Sequence, residues 1–101
     1  MWIIARPRIR AFGARHADAK QALYAWYAEV ERAAWTGPQD IKSDYPSASI
    51  LGDDPSGNRV VFNIKGNKYR VIVAVKYASH RVYIRFVGTH AEYDKLDART
   101  V

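Results

Sequence analysis

Between residues 59 and 91 the chain carries Arg59, Lys65, Lys68, Arg70, Lys76, Arg81 and Arg85 and no Asp or Glu. Asn63, Tyr83 and His90 stand among these cations. Lys, Arg, His and Tyr around a groove suffice to cleave RNA without a metal ion. The ribose 2′-hydroxyl is the nucleophile, cations stabilise the crowded phosphorane, and one group protonates the departing 5′ oxygen. Histidine titrates nearest neutrality, so His90 is the natural acid. A lysine can act as base only where neighbouring cations lower its pKa, which Lys65 facing Lys68 would arrange. Without proton transfer, the same face would be a non-catalytic RNA-binding module that grips phosphates, or chiefly a surface for an acidic protein partner.

Other chemistries lack their parts. The chain has no cysteine, so neither a disulfide framework nor a thiolate zinc site is available. There is no glycine-rich phosphate loop and no histidine pair at ligand spacing, and no cofactor is expected. His16 and His80 read as surface residues, and Asp53 and Asp54 as a solvated loop within "GDDPSGN". Net charge is +6 with a pI near 9.8. It is segregated: residues 21 to 58 carry Arg32 and Lys42 against Glu29, Glu31, Asp40, Asp44, Asp53 and Asp54, while Arg6, Arg8, Arg10 and Arg15 form a second basic group near the start. Polyanions are attracted to such a surface.

Positioning these groups requires a sheet. From Arg59 the apolar period is two, giving strands in "RVVFNIK", "KYRVIVAVKY" and "RVYIRFV". Gly66-Asn67 reads as a two-residue type II′ hairpin turn, so paired positions sum to 133 and Lys65 faces Lys68, Asn63 faces Arg70. For the next pair a sum of 159 puts Tyr77 opposite Val82, Val73 opposite Phe86, Lys76 opposite Tyr83 and Ala74 opposite Arg85. Val60, Phe62, Ile64, Tyr69, Val71, Val73, Val75, Tyr77, Val82, Ile84 and Phe86 then share a greasy face. Charge occupies the other, and His90 reaches the hairpin end. The like-charged tip costs stability, of order a few tenths of a kcal/mol per pair, and a bound polyanion would relieve it; lysines that discourage edge-to-edge aggregation are the plainer reason for it.

The greasy face needs helices. "WIIA" predicts a short strand, and Pro7 suits a helix start. A longer helix follows from Asp18, with Gln21 completing a capping box and Ala19, Ala22, Leu23, Trp26, Tyr27, Val30, Ala33 and Ala34 at helical spacing. Trp26 and Tyr27 read as core rather than as a base-stacking platform. "TGPQ" ends that helix and "QDIKSDYP" adds a short turn. The chain, 49% hydrophobic over 101 residues, is expected to form one compact domain spanning 1–101. The apolar run in "MWIIARPRIR" is too brief for a membrane span and in the wrong order for a signal peptide, so a cytoplasmic protein is expected, with no membrane partner.

The segments "SASILG", "RVVFNIKGNKYR" and "VYIRFVGTHAEYDKLDA", with the "ALYAWYAEVERA" helix, resemble the HigB family of type II toxins within the RelE-like group of ribosome-dependent messenger RNA endonucleases. The resemblance implies an α+β, RelE-like fold with N-terminal helices on one face of a small antiparallel sheet. It implies cleavage of messenger RNA in the ribosomal A site through a cyclic phosphate, with inhibition of translation. It implies a cognate HigA-type helix-turn-helix antitoxin, through which alone DNA would be contacted. Carried over by residue, the basic strand pair matches Lys65 and Lys68, the phosphate-holding arginines match Arg70 and Arg85, and the C-terminal acid falls on His90 or Tyr93. Asn63, Tyr83 and Lys76 complete the RNA-binding set, and Glu92 would orient a partner. Asp94 and Asp97 would lie on a solvated tail.

Overall fold

A computed structural model of the chain describes residues 1–51 and 58–101; the Asp53–Asp54 loop reading lies outside the described residues. The elements run β1 (Trp2–Ile4), α1 (Arg6–Arg15), α2 (Ala17–Arg32), α3 (Pro38–Asp44), β2 (Ser49–Ile50), β3 (Asn58–Ile64), β4 (Tyr69–Lys76), β5 (Arg81–Thr89) and α4 (His90–Tyr93). The sheet order is β1-β5-β4-β3-β2. All neighbours are antiparallel except β1, which enters parallel to β5. The α+β arrangement is the one expected. The sheet is mixed because "WII" joins its far edge after β5 rather than forming a hairpin.

Alternation and helical spacing build the core as read. Ala19, Leu23, Trp26 and Val30 of α2 are buried, four, three and four residues apart. Ile9 and Phe12 bring α1 onto the same layer. Facing them are Val60, Phe62 and Ile64 of β3, Val71, Val73 and Val75 of β4, and Val82 and Ile84 of β5. Phe62 is the hub: its ring lies 5.3 Å from Trp26, 6.1 Å from Trp35 and 5.1 Å from Tyr45. The expected Asp18 cap does not form. With Asp18 as cap the helix would begin at Ala19; α2 begins two residues earlier, at Ala17, and the Asp18 side chain makes no cap bond because it is used across the fold.

The β3–β4 register is the expected one, Asn63 opposite Arg70 and Ile64 opposite Tyr69. The turn is wider than two residues. Lys65 and Gly66 both take positive φ, 54° and 68°, and the Lys68 amide donates to the Lys65 carbonyl. Lys65 and Lys68 therefore leave the ladder, and strand alternation no longer dictates where their side chains go.

The β4–β5 register corrects the expectation. Val75 pairs with Val82, Val73 with Ile84, Ala74 with Tyr83 and Lys76 with Arg81. A bulge then intervenes between Ile72 and Val73, and Ile72 pairs with Phe86, Arg70 with Gly88 and Tyr69 with Thr89. A bulge sets two residues of one strand against one of the other, so Arg85 and Phe86 break the alternation together. Phe86 consequently leaves the helix side and joins the opposite face. That face is not purely charged. Val61, Ile72 and Ala98 form a second buried cluster there, with Leu51, Phe86, Tyr93, Leu96 and Val101 packed against it. The segment after α4, expected as a solvated tail, covers part of the sheet.

Candidate active site

The hairpin end of the sheet gathers groups from both faces. On the helix side, Asp18 in the first turn of α2 meets the tip. Lys68 Nζ donates to Asp18 Oδ2 at 2.6 Å and the Tyr69 hydroxyl to Oδ1 at 2.6 Å. Lys65 Nζ donates to the Asp18 carbonyl at 3.1 Å and lies 3.7 Å from the carboxylate. An acid thus stands within the basic block, fifty residues away in sequence from Lys68. Its pairing replaces the expected Lys65–Lys68 repulsion. The hydrogen bond from Lys68, then that from Tyr69, holds the Asp18 carboxyl well below the ordinary carboxylate range. The same bond raises Lys68, which favours a cation rather than a base.

On the opposite face, Arg70 shares a row with Asn63 and Gly88. Its guanidinium lies 4.5 Å from the Tyr93 ring centre and donates through Nη2 to Asn67 Oδ1 at 2.9 Å. Stacking on an aromatic face suits the planar guanidinium and fixes its plane. Among the described residues Arg70 Nε and Asn63 Oδ1 find no hydrogen-bond partner although both atoms are buried, two unsatisfied polar atoms within one row of the site.

His90 begins α4, and its amide donates to the Lys68 carbonyl at 3.2 Å, binding this short helix to the hairpin tip. Thr89 makes a capping box with Glu92: the Glu92 amide donates to Thr89 Oγ1 at 3.2 Å, and the Thr89 amide to Glu92 Oε1 at 2.9 Å. The bond from the Thr89 amide, with His16 and Arg15 nearby, keeps the Glu92 carboxyl below its ordinary range. His90 Nδ1 lies 3.0 Å from Asp94 Oδ2, one helical turn on, and the His90 and Tyr93 rings are 6.4 Å apart. With Nδ1 so engaged, Nε2 is the nitrogen left for a substrate. Tyr93 is therefore the middle of a row from Arg70 to His90.

Not every expected site residue joins this end. Lys76 lies six residues along β4 from Arg70, roughly 20 Å, and Tyr83 is level with Ala74, four residues from it, roughly 13 Å; Lys76 sits 5.8 Å from the centre of the Tyr83 ring. Arg85 lies between, its Nε donating to the main-chain oxygen of Val101 at 3.3 Å, which Arg59 also contacts. The single wall expected from alternation is divided: Arg70, Asn63 and Arg85 on one face, Lys65 and Lys68 drawn toward the helices, and His90 at the boundary. Asp18, Tyr69, His16 and Asp94 were not selected from the sequence. The His90–Asp94 spacing was a usable signal, since residues four apart share a helix face. His16, read as surface, stacks 4.2 Å from Phe12 and meets the Tyr69 ring edge-on at 5.6 Å.

Asp18 makes a titration prediction. Its folded-state pKa is depressed, so its stabilising effect is complete above the ordinary value of 3.8 and is lost progressively as the pH falls below that. Asp18→Asn is expected to lower the urea midpoint near neutral pH, with the difference from wild type shrinking as the solution is acidified below that value. Parallel pH profiles for the two proteins would contradict this role.

Among the described residues no three His, Cys, Asp or Glu side chains stand together so as to hold a metal ion, and no helix is long and apolar enough to cross a membrane. Compared with known proteins, residues 19–96 match the family model described as HigB_toxin, RelE-like toxic component of a toxin-antitoxin system. The chain is 29% identical to the mRNA interferase toxin HigB of Escherichia coli K12, over 93% of this chain and 88% of that protein. It is 25% identical to the mRNA interferase HigB of Escherichia coli O6:H1, over 95% of this chain and 91% of the relative, and 29% identical to that of Shigella flexneri over 93% and 88%.

Proposed function

The chain belongs to the HigB family of RelE-like toxins, the toxic components of toxin-antitoxin systems, and on that footing we propose that it is a metal-independent messenger RNA endonuclease. The observation that carries this reading is the row Arg70, Tyr93, His90, with Asp94 on the imidazole Nδ1 and Lys68 tied to the same tip. The ribose 2′-hydroxyl gives up its proton to solvent water as its oxygen attacks the adjacent phosphorus, the bond to the 5′ oxygen breaks, and a cyclic phosphate forms. His90 protonates the leaving oxygen through Nε2, and Asp94 steadies the imidazolium. Arg70 stabilises the charge that develops on the phosphorane, and Lys65 and Lys68 add a positive field from the helix side of the tip. Asp18 pairs with both lysines, so the unrelieved Lys65–Lys68 pair expected from the sequence is not formed. Asn63 and Arg85 extend the phosphate contacts across β3 and β5. Lys76 and Tyr83 lie too far along the sheet to touch the scissile phosphate and would meet RNA only beyond it.

The substrate is messenger RNA in the ribosomal A site of the cytoplasm, and a HigA-type helix-turn-helix antitoxin neutralises the enzyme. The family names of the relatives, mRNA interferases, support the cleavage. Mapping transcript 5′ ends after induction tests the reading. New ends within translated messages, absent when the adjacent antitoxin gene is co-induced, are expected. Translation arrest with no new ends would assign the protein to non-catalytic RNA binding instead.

A further inference from the structure

Residues 8, 11, 12 and 15 stand at i, i+3, i+4 and i+7 on α1 and so form one stripe of that helix. In order they are Arg, Ala, Phe and Arg. The stripe faces β5 where that strand has lost its neighbour: β1 pairs only with Arg81, Val82 and Tyr83, and among the described residues no strand continues beside β5 beyond them. Between helix and strand is a cavity of about 230 Å³, lined by Arg8, Ala11, Phe12, Arg15, Phe86 and Val87. Its floor is apolar, and an exposed guanidinium stands at each end, the two helix positions being roughly 10 Å apart. No acid lines it. Phe86 packs on the second cluster and also lines this cavity at the edge of β5 that β1 leaves open, whereas unbroken alternation would have turned its ring into the main core.

We infer that this groove is a nucleotide subsite, in which one base of single-stranded RNA stacks against Phe86 and Val87 while Arg8 and Arg15 hold the flanking phosphates. An aromatic platform between cations is the composition that single-stranded nucleic acid requires. The cavity is smaller than the ~300–1,000 Å³ that encloses a drug-sized ligand, which suits one base of a longer strand. Its position matches the proposed cleavage site: Arg8 Nη1 donates to the Arg85 carbonyl at 2.8 Å, and Arg15 is close enough to lower Glu92 in α4. The groove therefore runs along β5 toward His90, and RNA leaving the scissile phosphate enters it. A peptide strand fits less well, because Arg8 already occupies a main-chain acceptor on the edge that such a strand would need.

This subsite rests on the reading of the protein as a messenger RNA endonuclease, and the test separates the two. Transcript 5′ ends are mapped after induction of the full chain, of Ala11→Trp, which fills the cavity without changing charge, of Arg8→Glu/Arg15→Glu, and of Arg32→Glu as a charge control at the distant end of α2. Folding is checked by urea denaturation of each purified protein. Wild type is expected to show a base preference at one position flanking the cut. Ala11→Trp is expected to erase that preference and lower cleavage at least about tenfold, the scale of one lost stacked base. The double reversal should lower cleavage further, and Arg32→Glu should cut like wild type. Folded variants that cut with wild-type frequency and preference would overturn the subsite while leaving the endonuclease intact. So would variants that cut normally but no longer co-purify with the antitoxin, which would assign the groove to that protein. If wild type itself produces no new ends, the endonuclease reading fails and the subsite with it.

Discussion

His90→Ala is expected to abolish growth arrest and to lower messenger RNA cleavage by about 10²–10⁴-fold, the range for loss of a positioned acid. Its fold should survive, because the imidazole is 41% exposed and its pairing with Asp94 is a surface contact of small energetic weight. Arg70→Ala should match it for a different reason. That change removes the guanidinium above Tyr93 and the bond to Asn67, and leaves the proton donor in place. Arg70→Lys separates charge from shape: an ammonium restores the charge but neither the forked donor geometry nor the stack, so only partial recovery is expected. The measurement is transcript cleavage beside urea unfolding of each variant. Full toxicity of both alanine variants would remove His90 and Arg70 from the site.

Phe62→Ala should abolish toxicity by another route. Phe62 is 1% exposed and touches Trp26, Trp35 and Tyr45, which come from α2, the segment before α3 and the segment after it. Truncating such a side chain costs about 3–5 kcal/mol, against a total stability of about 5–15 kcal/mol for a domain of ordinary size. A large fall in the urea midpoint is expected, with loss of soluble protein in cells. Phe62→Leu, which fills most of the volume, should lose much less. A midpoint for Phe62→Ala indistinguishable from wild type would mean that the aromatic cluster does not hold these layers together.

What the sequence discloses here depends on range. The α2 stripe and the β3–β4 register were legible because each follows from a short period or a single tight connection. His90 at the hairpin end was legible as well, since it required only the approximate length of β5. The parallel entry of β1 was not, because three apolar residues carry no information about their partner. Lys65 and Lys68 left the expected wall because the turn took two positive-φ residues, one of them a lysine that the Gly66-Asn67 reading had kept in the strand. Asp18 has the local look of a helix cap, and only the folded chain shows that Lys68 and Tyr69 each take one of its oxygens. The cover over Val61 and Ile72 was missed for a similar reason: Leu96, Ala98 and Val101 are too few and too irregularly spaced to announce a packed face.

The irregularity in β5 has a bearing on which lengths the chain can tolerate. Side-chain parity in a strand is set by counting residues, and the count between Ile84 and Thr89 includes one more than a regular ladder would use. Deleting the extra residue would close the bulge into a regular ladder, with Gly88 still opposite Arg70, Thr89 still opposite Tyr69 and the imidazole-bearing turn still beside the tip that receives it, whereas adding one more would break that match. Relatives that lack one residue in this span should therefore keep the same site, while those that gain one should be rare, even where the amino acids themselves vary.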